Sequence, residues 1–105
     1  MVQSWELEKT TGQAVKKAAR QLRPIVASIL PEMAPDWTGE KSLFVNVVLK
    51  DRAVAERGLT SVYREAQDKI RQTLKAAGVP YFVFARFRTE SDEVELRRSG
   101  QAWSN

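Results

Sequence analysis

LFVNVVLK, residues 43–50, carries apolar side chains at every position except Asn46 and the terminal Lys50. Side chains alternate between the two faces of a strand, so this segment is apolar on both and reads as a central strand, not an edge. After the polar connection DRAVAERG comes an amphipathic helix from about Thr60 to Ala77. Its Val62, Ala66, Ile70, Leu74 and Ala77 recur at spacings of three and four, and Gly78 and Pro80 supply its stop. Ala55 and Leu59 continue the same stripe backwards, so a start near Asp51 with Gly58 inside the helix fits equally well. YFVFARFRTE, residues 81–90, then reads as a second strand. Strand, helix and strand in this order predict a right-handed βαβ unit with its two strands parallel.

Upstream, Thr10 stands three residues before Gln13 at capping-box spacing. A helical stripe of Val15, Ala18, Ala19, Leu22, Val26, Ile29 and Leu30 follows. Pro24 lies within it, which predicts a kink or a second short helix, with an end before Pro31. PEMAPDWTGEKS, residues 31–42, reads as a loop, and residues 2–9 suit either a short edge strand or a helix start. Downstream, EVELRR reads as a return strand, its turn at Ser91 and Asp92 placing Arg88 opposite Glu95 and Phe87 opposite Leu96. The expected fold is α+β, or a small α/β: a long kinked N-terminal helix, a βαβ unit and a C-terminal β-hairpin. Together these make a two-layer sandwich of helices on a sheet of 3–4 strands.

A length of 105 residues fits one globular domain, here 1–100 with 101–105 as a frayed tail. The chain has no Cys and no His, which removes thiolate nucleophiles, zinc-thiolate sites and the commonest general base and metal ligand. The expectation is therefore a protein that is not an enzyme and takes no cofactor or metal. No apolar run reaches bilayer length, and MVQSWELEKTT lacks the basic and apolar regions of a signal peptide, which points to a cytoplasmic protein with no membrane partner. The net charge of +4 suits an anionic partner.

YFVFARFRTE has two faces. Tyr81, Val83, Ala85 and Phe87 lie on one, and Phe82, Phe84, Arg86 and Arg88 on the other. Exposed aromatics beside basic residues are how RNA-recognition sheets stack bases and hold phosphates. The competing reading packs Phe82 and Phe84 under a helix or at a dimer seam and pairs Arg86 and Arg88 with Glu93 and Glu95; it is the preferred one here.

A second basic feature lies on the first helix, where Lys16, Lys17, Arg20 and Arg23 form a ridge opposite the apolar stripe with no acid among them. The ridge could track phosphates or serve simply as a solvated helix face. Arg57, Arg64, Arg71 and Lys75 make another basic line, interleaved with Glu65 and Asp68. Glu90, Asp92, Glu93 and Glu95 match no calcium loop and read as a solvated turn.

Pro35-Asp36 ahead of a strand ending in Lys50 invites comparison with metal-dependent nucleases, but Val48 stands where their acidic metal ligand would be. In architecture and charge the chain is similar to small ribosome-associated KH-like proteins, in which helices flank a sheet with strands like LFVNVV. It departs from them by one missing strand and by the absence of a Gly-x-x-Gly loop. The function these residues suggest is a small binding domain for RNA or a ribonucleoprotein surface, using Lys16, Lys17, Arg20, Arg23, Arg86 and Arg88. The alternative is a protein-interaction or homodimer module using Phe82 and Phe84.

Overall fold

A computed structural model describes residues 8–100 of the chain; the expectations for residues 2–7 and for the tail at 101–105 lie outside the described residues. The described elements are α1 (Lys9–Gln21), β1 (Val26–Pro35), β2 (Lys41–Leu49), α2 (Asp51–Arg57), α3 (Leu59–Ala76), β3 (Val83–Thr89) and α4 (Glu90–Arg98). They form an α+β fold around a mixed sheet of order β1-β2-β3. β2 is the central strand, antiparallel to β1 and parallel to β3. The chain passes from β2 to its parallel partner through α2 and α3, as the strand–helix–strand pattern requires.

One face of β2 presents Leu43, Val45, Val47 and Leu49, all fully buried, to Val15, Ala18 and Leu22 of the first helical segment and to Val62, Ala66, Ile70 and Leu74 of α3. The α3 stripe follows its sequence spacing from Val62 to Leu74, whereas Ala77, expected to continue it, is the exposed C-cap residue. Gly58 separates α2 from α3 instead of lying inside one helix; its φ of 85° and ψ of 148° belong to a region that only glycine enters readily.

Two expected elements are corrected. The long kinked N-terminal helix does not form, because α1 ends at Gln21 and the chain turns at residues 22–25, where the amides of Ile25 and Val26 both donate to the Leu22 carbonyl. Pro24 ends the helix at the turn: it has no amide to donate to Arg20 and disfavours helical dihedrals at Arg23. Residues 26–35 are a strand, and the loop expected at residues 31–42 shrinks to the turn between β1 and β2. Pro31 is tolerated because β1 borders the sheet and needs no outward donor. The helix also starts two residues earlier than the Thr10 box implied, with Glu8 as N-cap and no side-chain cap bond.

The C-terminal hairpin is likewise replaced by α4. Thr89 Oγ1 accepts from the Asp92 amide at 3.1 Å and Asp92 Oδ2 accepts from the Thr89 amide at 3.1 Å, a reciprocal cap. Glu90, Asp92 and Glu93 in the first turn and Arg97 and Arg98 in the last complement the helix dipole. The acidic group read as a solvated turn is therefore a helix start. Glu90 also accepts from the Asp51 amide at 3.0 Å, and Asp51 Oδ2 accepts from the Ser91 hydroxyl at 2.6 Å, so α2 and α4 cap each other's first residues.

Candidate binding surfaces

α1 buries Thr11, Ala14, Val15 and Ala18. That orientation turns Lys16, Lys17 and Arg20 outward, with Arg23 exposed in the following turn. α1 packs beside α3, where Thr73 Oγ1 donates to Gln21 Oε1 at 3.3 Å. Two shallow grooves result. One of ≈ 490 Å³ is bordered by Thr10, Gln13, Lys16, Lys17 and Arg20 of α1 together with Ala77. The other, ≈ 280 Å³, runs between Lys17 and Gln21 on α1 and Lys69, Gln72 and Thr73 on α3. Lys17 belongs to both. Sequence reasoning overlooked Lys69, since only the packing of α3 against α1 brings it beside Lys17.

None of Lys16, Lys17, Arg20, Arg23 and Lys69 is ion-paired with an acid among the described residues. In the second basic line Arg57 is held by Glu65 at 3.1 Å and by the Ser61 hydroxyl at 3.2 Å, while Arg64, Arg71 and Lys75, like the ridge, have no ion pair among the described residues.

Arg86 and Arg88 lie on the other side of the sheet. Phe84 and Arg86 stand beside Phe44 and Asn46 in the β2–β3 register, on the strand face opposite Leu43, Val45 and Val47. The expected joint site of ridge and strand arginines therefore does not exist, because the hydrophobic core separates its two halves. Arg86 pairs with Glu32 at 3.5 Å and its guanidinium lies 4.9 Å from the centre of the Phe44 ring. Arg88 pairs with Glu93 at 3.1 Å, as the sequence suggested, but from a helix instead of a paired strand. Both arginines are thus largely buried in contacts to acids and a ring, whereas the ridge cations are solvated.

On this same face Phe44 and Phe84 stack with centroids 5.2 Å apart and planes 23° from parallel. Within the described residues neither Phe82 nor Phe84 is covered: Phe82 is 71% exposed and Phe84 38%. Trp37, at the β1–β2 turn, is 92% exposed. The turn holding it is organised by Asp36, whose Oδ1 accepts from the Thr38 hydroxyl at 2.6 Å, the Thr38 amide at 2.8 Å and the Glu40 amide at 3.1 Å. Gly39 takes φ 87°, as a tight turn needs.

These donors, the Thr38 hydroxyl above all, lower the Asp36 pKa below the ordinary carboxylate value against a weaker opposing desolvation. A carboxylate with a depressed folded pKa contributes stability above its unfolded pKa and loses it as pH falls through the folded value. The turn should therefore loosen only below about pH 4. Amide NMR across an acid titration should show the Thr38 and Glu40 resonances moving together in that range in the native chain and staying put in Asp36→Asn.

Among the described residues no three acidic side chains gather in a way that could hold a metal ion, and no helix is long and apolar enough to cross a membrane. Comparison of the chain with protein-family models, curated proteins and solved structures gave no match.

Proposed function

We propose that this is a non-enzymatic domain that binds the phosphate backbone of RNA, alone or on a ribonucleoprotein surface, through the layer formed by α1 and α3. The observation that carries this reading is the convergence of Lys16, Lys17, Arg20 and Lys69 on two adjoining grooves without a neutralising acid among the described residues. Solvated cations release the counterions of a phosphate chain, whereas cations already paired gain less. Arg86 and Arg88 leave the proposed site for that reason as well as for their position.

The test is a fluorescence-anisotropy titration of single-stranded RNA at several salt concentrations. With three or four phosphates neutralised, log Kd should rise with log salt at a slope of about 2 to 3. Arg86→Gln should leave that slope unchanged. Lack of binding at low salt overturns the reading.

A second reading, a protein-interaction or homodimer module, is favoured by the exposure of Trp37, Phe82 and Phe84 on the opposite face. Light scattering should then show a dimer that persists in high salt, since apolar burial is little screened. A monomer at high concentration counts against self-association.

A further inference from the structure

A pocket of ≈ 420 Å³ opens on the sheet face away from α1 and α3, walled by Pro35, Asp36, Trp37, Phe44 and Phe84. Its walls are three aromatic rings, a proline and one carboxylate, with no lysine or arginine. Glu40 closes the turn that carries Trp37, while Glu32, the register partner of Phe44, is paired with Arg86. The one charged group in the pocket wall is thus a carboxylate, Asp36, set among aromatic rings. The electron-rich faces of such rings attract cations, most strongly those whose charge is spread over methyl groups and which lose little hydration on entering. Phe44 already serves this way within the chain, with the Arg86 guanidinium 4.9 Å from its ring centre.

From these observations we propose that the pocket binds an N-methylated ammonium group, either on a methylated lysine side chain of a partner polypeptide or on a small quaternary amine. Trp37 and Phe84 supply ring faces, and Asp36 supplies the counter-charge. The Asp36 carboxylate does so without leaving its turn, because Thr38 and Glu40 hold it in place. A nucleobase would also stack on these rings, but its phosphate would meet Asp36 and the nearby Glu40. This site faces away from the basic grooves and stands or falls independently of RNA binding.

The experiment is an NMR titration of the full-length ¹⁵N-labelled chain, following the Gly39 amide beside the pocket. Its probes are choline, the neutral carbon isostere 3,3-dimethylbutanol, N-acetyl-trimethyllysine amide and AMP. Choline and the trimethyllysine derivative should give saturable shifts, and the neutral isostere should bind about fivefold or more weakly. Whichever of the two cations binds more tightly identifies the source. Trp37→Ala and Phe84→Ala should each weaken the cation about fivefold or more, as should Asp36→Asn, while Phe82→Ala, outside the pocket wall, should not. The proposal is overturned if the isostere binds as well as choline, if AMP binds more tightly than either cation, or if no probe saturates by about 50 mM, where affinity is negligible.

Discussion

Replacing Leu43 by Ala should bring the protein close to unfolding. Leu43 is fully buried near the start of the central strand, bridging Met33 on β1 and Val83 on β3 through its register. Removing such a side chain loses its transfer free energy and leaves a cavity, together about 2–5 kcal/mol. A domain of this size has only about 5–15 kcal/mol of stability in total. With a urea m-value of about 1–3 kcal/mol/M, the midpoint should fall by roughly 1–3 M. Leu30→Ala makes the informative control. Leu30 lies one strand away but is 58% exposed, so its midpoint should move little, by about 0.5 kcal/mol or less in stability. Similar losses at the two positions would mean that β2 is not the strand on which the core is built.

The second large effect concerns binding. Lys16→Gln, Lys17→Gln and Arg20→Gln combined should reduce RNA affinity at least tenfold near 50 mM salt and lower the log-log salt slope by about 2. The three side chains are solvent-facing on α1, so the variant should melt with the native chain. That separates lost contact from lost fold. The matched variant Arg86→Gln with Arg88→Gln sits beyond the core and should retain the native salt slope. Should the strand pair abolish binding and the helix triple spare it, the phosphate chain would have to lie on the sheet and the assignment would reverse.

Much of this architecture was legible in the residues. β2 declared itself by apolar side chains on both faces, α3 by a stripe at the helical period, and β3 by its separation into a mixed and a partly charged face. Residues 26–30 misled because Val26, Ile29 and Leu30 also satisfy helical spacing, and the irregularity between Val26 and Ser28 breaks the strand's alternation. α4 misled for a different reason. It is only nine residues long and buries none of them, so no stripe marked it, and the signal it did carry was the cap formed by Thr89 and Asp92.

The basic ridge was visible because it lies on one helix. Its separation from Arg86 and Arg88 was not, because that depends on which side of the sheet α1 comes to rest. The aromatic pocket was further out of reach, since it joins Trp37 from a turn, Phe44 from β2 and Phe84 from β3.

The sheet has two borders of unequal character. β1 carries Pro31 and Pro35, which offer no amide to an incoming strand, and it bends where its register shifts after Val26. β3, the opposite border, reads VFARFRT with no proline or glycine in it. Among the described residues, templated growth of the sheet is therefore hindered at β1 and not at β3. A second chain adding by backbone pairing would have to meet β3, and two such borders meeting across a twofold axis would use up both. Such a pairing would be closed, with neither β3 left open among the described residues.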